Sequence, residues 1–426
     1  MKTLYDTIAE FISGDWGCEA ESDSATQSGY CIRAADIIPI ETHDYSTIPQ
    51  RFVSRSSFDQ RHLIKGDIVI EKSGGSPTQS TGRAVYISPS LLSAKRNIIC
   101  SNFCTAIRLK PEWNPYFVYQ YWRQVYNSGV FFNYEGKTSG LKNLQLEVAL
   151  KSIPIPEIDL PTQLRIAGIL GSLDEKIELN RKKIAELEAL AKTIYDYWFV
   201  QFDFPDKNGK PYRSSGGKMV WNEQLKREIP EGWEVGKLSN ICTISTSQCN
   251  PARFTQDTVE HYSIPAFDAG VFPAFDAPQS ILSNKFRVVK TSILYSKLNA
   301  QFKRIWDPLH ITENPIASSE FVVYVPKNAL HRGYLYAILN GEQFFAFANS
   351  ISSCSTGSRK RFTPETTYHF SIILPQNAIV EEFSQQYSAL LDSMRIARLE
   401  IDFLTKQRDF LLPLLMNGQI SARELK

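Results

Sequence analysis

The chain has 426 residues, enough for two or three domains that each bury a core. Its 43% hydrophobic and 12% aromatic content argues against a disordered chain, and no run approaches the roughly 20 apolar residues of a membrane span. A net charge of +2 excludes a uniformly basic or acidic protein, so any polyanion must be held on local faces. The start, MKTLYDTIAEFISG, lacks the long apolar run of a signal peptide, and we expect a cytoplasmic protein without a membrane partner.

The first half, residues 1–158, reads mostly as short strands such as HLIKGDIVIEK and NIICSNFCTAIRL, with turns between them. PYFVYQYWRQVYN interrupts them as a helix that begins at Asn114 and Pro115. An α+β domain is therefore predicted. The segment from Lys72 to Pro111 holds no acidic residue but several basic ones, which favours a surface for a polyanion. Solvated loops without a role are the alternative.

The helix predicted for residues 159–200 carries apolar side chains at alternating spacings of three and four, which is typical of a coiled-coil seam. It would be about 45 to 55 Å long at 1.5 Å per residue. Asn180 would fix its register, and Pro161 suits its first turn. The predicted seam positions in this helix are Leu170, Leu173, Ile177, Asn180, Ile184, Leu187 and Ile194.

The second half, residues 201–375, repeats the order of the first. KGDIVIEK is echoed by KTSILYSK, CSNFCTAIRLKPEW by SSEFVVYVPKNA, and KTSGLKNL by CSTGSRKRF. A second stretch without acids runs from Ala277 to Trp306. Two similar α+β domains with an internal pseudo-two-fold repeat are predicted.

A second long helix is predicted within residues 376–426, and Pro413 should end or kink it. The two seams most simply satisfy each other in a coiled coil; two amphipathic helices on separate cores are the alternative. Its predicted seam positions are Leu390, Met394, Ile401, Leu404 and Leu411.

Catalytic motifs are missing from the sequence. NPYF (Asn114 to Phe117) lacks the second proline of an adenine methyltransferase motif, and SSGGKM does not fit a P-loop. DEK (Asp174 to Lys176) lies inside the first long helix, where charges normally face water. The seven cysteines form no CxxC pair and the histidines no HExxH motif, so we expect no metal and a chain that is not an enzyme.

Three segments resemble the specificity subunit of type I restriction-modification systems. They are LPTQLRIAGILGSLDEKIELNRKKIAELEALAKTIYDYWFVQFDFP, SSGGKMVWNEQLKREIPEGWEVGKL and LLPLLMNGQI. The resemblance implies two target recognition domains separated by two long helices that form an antiparallel coiled coil. Each domain would read one part of a split, asymmetric sequence in double-stranded DNA. It also implies docking of two copies of a modification subunit, an adenine methyltransferase that binds S-adenosylmethionine. A restriction and motor subunit that uses ATP and magnesium can join. The chain itself would need no cofactor.

Side chains with phosphate- or base-binding groups in the basic stretches are the candidate DNA contacts. In the first half they are Lys72, Ser73, Thr78, Gln79, Arg83, Lys95, Arg96, Lys137 and Lys142. In the second half they are Lys297, Asn299, Gln301, Lys303, Arg304, Arg359, Lys360 and Arg361. Two alternatives remain open. One is a coiled-coil interaction scaffold that does not read a DNA sequence, and the other is a single-chain DNA methyltransferase or nuclease with diverged motifs.

Overall fold

A computed structural model describes residues 2–76, 78–138, 141–354 and 359–420. The chain divides into two compact units. Unit 1 takes in Met1–Leu179 and Phe403–Lys426, and unit 2 takes in Asn180–Asp402.

Unit 1 is a mixture of short strands and helices. Its strands are β1 (Ile8–Ser13), β2 (Gln27–Ile32), β3 (Gln50–Val53), β4 (Ile68–Glu71), β5 (Ser73–Gly74), β6 (Ala84–Tyr86), β7 (Ile98–Cys100), β8 (Cys104–Leu109), β9 (Glu135–Thr138) and β10 (Leu141–Leu144). Its helices are α1 (Ile37–Glu41), α2 (Arg55–Arg61), α3 (Pro89–Ala94), α4 (Pro115–Asn127), α5 (Leu146–Ser152) and the first part of α6 (Leu160–Tyr195).

Unit 2 has the same mixed character. Its strands are β11 (Met219–Asn222), β12 (Arg227–Pro230), β13 (Glu234–Lys237), β14 (Cys242–Ile244), β15 (Gln248–Cys249), β16 (Val259–Tyr262), β17 (Ala274–Asp276), β18 (Lys285–Arg287), β19 (Ile293–Ser296), β20 (Ile305–Trp306), β21 (Ile316–Ala317), β22 (Phe321–Pro326), β23 (Ser353–Cys354), β24 (Lys360–Arg361) and β25 (Ser371–Leu374). Its helices are α7 (Leu238–Ile241), α8 (Ile264–Gly270), α9 (Arg332–Asn340), α10 (Glu342–Ser350) and most of α11 (Asn377–Met416).

The sheets confirm the predicted internal repeat. A four-stranded antiparallel sheet in unit 1 has the order β1-β8-β4-β6, and its counterpart in unit 2 has the order β14-β22-β19-β20. KGDIVIEK and KTSILYSK supply β4 and β19, which occupy the same position in the two sheets. Each unit also contains one parallel strand pair, β2 with β7 and β16 with β21. The α+β class and the two similar units are therefore confirmed.

Local sequence explains why these elements form. Strands β4 and β19 are buried along their whole length, which suits their runs of β-branched and other apolar residues. Helix α4 begins as predicted, because the Asn114 side chain accepts a hydrogen bond from the Phe117 amide at 2.9 Å and Pro115 follows it. On this helix Trp122 is buried and stacks on Phe131 with ring centroids 4.7 Å apart.

In unit 1, α6 and α11 pack against each other in opposite directions. Ile166 and Leu170 share a buried cluster with Leu412 and Leu415, while Arg408 Nη1 donates to Asp174 Oδ1 at 2.8 Å. Helix α11 continues past Pro413 for one turn and ends at Met416, so the proline lies in the last turn.

In unit 2, the same helices again run antiparallel. Trp198, in the π-helical turn that follows α6, lies 5.5 Å from Phe383 between ring centroids, and Arg398 pairs with Glu188 at 3.2 Å. Both helices thus contribute to both units.

The predicted seam positions are inward-facing to different degrees. Leu170, Ile177, Met394 and Leu404 are buried. The half-buried positions are Leu173, Asn180, Ile184, Leu187, Ile194, Leu390, Ile401 and Leu411. Apart from Asn180, these positions form the apolar side of each helix.

The N-terminal segment closes unit 1. The Leu4 amide donates to the Ile153 carbonyl at 3.0 Å, and the Ile155 amide donates to the Lys2 carbonyl at 3.0 Å. In unit 2 the corresponding place is filled by β13, which pairs with β25. In unit 1 an isolated β-bridge between Thr3 and Pro154 lies at this place, and Leu412, Leu415 and Met416 from the end of α11 complete the core.

Candidate nucleic-acid interface

In unit 1, the polar loop after β4 and the Ser/Thr-Gly-basic hairpin form one continuous backbone surface. Ser73 and Gly74 pair with Asn143 and Lys142 of β10, and the Leu144 amide donates to the Lys72 carbonyl at 2.8 Å. Gly74 has a φ of +150°, and a Cβ there would lie 2.3 Å from Glu71 Oε1, so glycine is required. Two segments 70 residues apart in sequence thus meet.

A buried ion pair lies beneath this loop. Arg83 Nε and Nη2 donate to Glu71 at 2.8 and 2.6 Å, and the Glu71 side chain is fully buried. The bidentate hydrogen bonds raise the pKa of Arg83 above its usual value. Since Arg83 is itself mostly buried, it holds the loop instead of pointing outward.

Lys142 is held by a second acid of unit 1. Its Nζ lies 2.8 Å from Glu135 Oε2, and Glu135 Oε1 also accepts the Thr81 amide at 2.7 Å. Burial would raise the pKa of Glu135, but hydrogen bonds from Lys142 and Thr81 outweigh it and hold the pKa below its usual value. Glu135 therefore stays charged and fixes the hairpin.

Unit 2 builds the corresponding surface from the turn between β19 and β20. The Asn299 amide donates to the Lys360 carbonyl at 2.7 Å, and Asn299 Oδ1 accepts the Lys360 amide at 3.2 Å. Leu298 forms an isolated β-bridge with Arg361. The two stretches chosen from the sequence, Lys297 to Arg304 and Arg359 to Arg361, are thus brought together.

Three basic residues of this surface are paired with acids. Arg361 donates twice to Glu320 at 2.9 and 2.8 Å, and these hydrogen bonds lower the pKa of Glu320. Arg304 donates twice to Asp268 at 2.6 and 2.8 Å. Lys303 reaches Glu342 at 3.1 Å.

The remaining candidates differ in where they lie. The exposed candidates are Thr78, Arg96, Gln301, Arg359 and Lys360. Lys72, Ser73, Gln79 and Lys297 are half-buried beside the paired backbones. Lys95 and Arg96 come just before β7, and Lys95 Nζ lies 4.3 Å from the centroid of the Tyr30 ring. The loop after β4 instead contacts the Phe103 backbone, which follows the other end of β7. Lys95 and Arg96 are therefore not brought to this loop. The Lys137 side chain lies outside the described residues.

Sequence reasoning overlooked the acids that hold these cations and two exposed aromatic rings, Phe132 and Phe302. Both kinds of residue lie at the basic stretches in the sequence, since Glu71 directly precedes Lys72 and Phe302 lies inside KLNAQFKR. An exposed phenylalanine within a basic stretch is the signal that could have identified Phe302.

Burial keeps several cysteines in the thiol form. Burial raises the pKa of Cys31 to about 12 and that of Cys104 to about 11. Among the described residues, no group of three or more His, Cys, Asp or Glu side chains could hold a metal ion. Within the same ranges, no helix is long and apolar enough to cross a membrane.

The fold places the chain in a class of two-unit α+β proteins with paired long helices. A type I restriction-modification S subunit from M. genitalium has the same fold, with a TM-score of 0.57 at 14% identity, covering 97% of this chain and 95% of that one.

Sequence comparison finds similar proteins in one family. Residues 54–189 match the Type I restriction modification DNA specificity domain. The specificity subunit of the type I restriction enzyme MjaIX of Methanocaldococcus jannaschii is 24% identical over 285 residues, which cover 65% of this chain and 62% of that protein. The HindI specificity subunit of Haemophilus influenzae is 23% identical over 326 residues, covering 64% of this chain and 70% of that protein. The matched region thus spans less than two-thirds of the first relative. The chain is thus similar in sequence to type I restriction-modification specificity subunits.

Proposed function

We propose that this chain is a non-catalytic DNA reader in which each unit recognises one part of a split, asymmetric duplex sequence. The observation that carries the proposal is the repeated surface. In both units a polar loop is hydrogen-bonded to a basic hairpin, at corresponding places in the two sheets. Two similar but non-identical surfaces suit a target with two different parts.

The exposed and the paired cations would have different roles. Arg359 and Lys360 are open to solvent and would contact phosphates, which fix the register of the protein on the duplex. Arg83 and Arg361, already held by acids, would shape the loops that present Ser73, Gln79 and Gln301 to base edges. The acids thereby prevent the surface from attracting every duplex equally.

The same proposal assigns partners by family. Two copies of an adenine methyltransferase that binds S-adenosylmethionine would dock on the long helices, and a restriction and motor subunit that uses ATP and magnesium can join. Exposed apolar residues on α11, including Ile396 in unit 2 and Phe410 in unit 1, support the use of this helix for docking. The chain would act in the cytoplasm, where this DNA lies. Residues 1–158 and 201–375 would be the recognition domains, and residues 159–200 and 376–426 the helical spacers.

Methylation mapping tests this function. Cells with the chain and its methyltransferase should carry methylated adenines at one split motif, and cells lacking the chain should not. Exchange of residues 1–158 for those of a relative should change one part of the motif and leave the other intact. An unchanged pattern without the chain would refute the proposal and favour an interaction scaffold. Methylation by the chain alone would instead identify an enzyme.

A further inference from the structure

In each candidate surface an exposed phenylalanine ring lies beneath a cation that is itself paired with a carboxylate. The Phe132 side chain is 42% exposed in unit 1, and Phe302 is 56% exposed in unit 2. Single exposed apolar residues are common and need no explanation by themselves. The shared surroundings of these two rings do need one.

In unit 1, the Phe132 ring is covered by a fixed cation. Lys142 Nζ lies over the ring, 4.9 Å from its centroid, and the same ammonium is held 2.8 Å from Glu135 Oε2. Lys142 also belongs to the strand pair that joins the hairpin to Gly74. The ring therefore stands at the edge of the candidate surface with one side occupied.

In unit 2, Phe302 has the same arrangement built from different residues. The Arg304 guanidinium lies over the ring at 5.3 Å, and Asp268 holds that guanidinium through two hydrogen bonds. The Phe302 amide donates to the Asn299 carbonyl at 2.9 Å, and Asn299 has a φ of +50°, which fixes the tight turn. The ring is thus presented by a turn that is rigid in its backbone.

The covered side limits what each ring can do. A ring that inserts between base pairs stacks on both faces, and here a cation occupies one of them. The cation in turn is neutralised by its carboxylate, so the group adds little attraction for phosphate. The uncovered part of each ring is an apolar surface within a polar, basic region. Such a surface is suited to contact an apolar group at a base edge.

In the major groove, the 5-methyl group of thymine is the apolar feature among the base edges. We infer that Phe302 and Phe132 each contact a thymine methyl group in the part of the target that their unit reads. This inference rests on the proposed function and adds two specificity-determining residues to it.

The test is binding of the full chain, in complex with its methyltransferase, to the target duplex found by methylation mapping. Thymines in one part of the target are replaced by deoxyuridine, which keeps base pairing but lacks the methyl group. Wild-type protein should bind the replaced duplex about fourfold more weakly, the factor for burying one methyl group. Phe302→Ala should weaken binding to the thymine duplex by about tenfold, because a whole ring is lost, and should remove the sensitivity to deoxyuridine in one part. Phe132→Ala should remove it in the other part.

Matched controls separate this contact from general damage. Leu282→Ala removes a side chain that is 97% exposed in the same unit as Phe302, and it should leave both binding and the deoxyuridine effect unchanged. The dependence of binding on salt should be the same for Phe302→Ala and wild type, since no phosphate contact is removed.

Three results would overturn the inference. If the Phe302→Ala and Phe132→Ala variants still bind the deoxyuridine duplex more weakly than the thymine duplex, by the wild-type factor, neither ring contacts a methyl group. Unstacking of a 2-aminopurine base that depends on either ring would identify a wedge instead. A wild-type complex that binds its target selectively but ignores deoxyuridine in both parts would refute the contact and leave the reader function intact. A wild-type complex without sequence-selective binding would refute the proposed function itself.

Discussion

Asp174 joins the two long helices of unit 1 to helix α4, and its charge should be important for stability. Its carboxylate accepts hydrogen bonds from Tyr116 Oη, from Gln120 Nε2 at 3.0 Å and from Arg408 Nη1 at 2.8 Å. Asp174→Asn keeps the shape but removes the charge. Since the Asp174 side chain is 26% exposed, the expected loss is about 1.5 to 3 kcal/mol, the contribution of a hydrogen bond to a charged group.

Urea denaturation at neutral pH measures this loss, with Glu175→Gln, an exposed neighbour on the same helix, as the matched control. For a unit of this size Tm falls by about 2 to 4 °C per kcal/mol, so a thermal scan should show a fall in Tm of about 3 to 12 °C. In a double-mutant cycle, the effects of Asp174→Asn and Arg408→Met on the free energy of unfolding should be strongly non-additive. A loss below about 1 kcal/mol, or one equal to that of Glu175→Gln, would refute the assigned role of the carboxylate.

The pH dependence gives the same test a second readout. Burial would raise the pKa of Asp174, but the charges of Arg408 and Arg123 and the hydrogen bond from Tyr116 outweigh it and hold the pKa below its usual value. Its stabilising effect should therefore be complete above the unfolded-state pKa of about 3.9 and be lost as the pH falls through the lower folded-state pKa. Wild type and Asp174→Asn should thus converge in stability toward low pH. Parallel curves down to acid would contradict this.

Further variants probe the two surfaces. Arg83→Met leaves the fully buried Glu71 without its partner, and urea denaturation should show a loss of about 3 to 5 kcal/mol; a change within experimental error would show that the pair is dispensable. Arg361→Met removes a partly exposed pair with Glu320, so stability should fall by no more than about 1 kcal/mol while binding to one part of the target weakens; equal weakening at both parts would contradict a local role. Lys360→Gln should lower the slope of log binding constant against log salt by about 1 without changing the methylated motif, and an altered motif would instead indicate base readout.

The long helices and the repeat were predictable because they depend on patterns within short stretches. Apolar spacing of three and four identified α6 and α11, and paired motifs identified β4 with β19 and β8 with β22. These patterns can be recognised in the sequence alone because each strand or helix must bury one face, whichever elements it packs against.

The role of single charged residues could not be predicted in the same way. Asp174 was expected to face water with Glu175 and Lys176, yet it meets Tyr116 and Arg408, which lie 58 and 234 residues away in sequence. The sequence also showed basic stretches without acids but not which cations were already paired. Arg83 and Arg304 are held by Glu71 and Asp268, contacts that only tertiary structure defines.

The composition of unit 1 from two distant segments has a consequence for its biosynthesis. Unit 2 is one continuous stretch, but unit 1 draws Leu412, Leu415 and Met416 into its core from beyond unit 2. At about 5 to 20 residues per second, the ribosome makes those residues at least roughly ten seconds after Leu179. During that interval the apolar face formed by Ile166 and Leu170 has no partner from α11, so the part made first is the last to finish folding. A chaperone that binds the nascent chain would meet that face on every molecule.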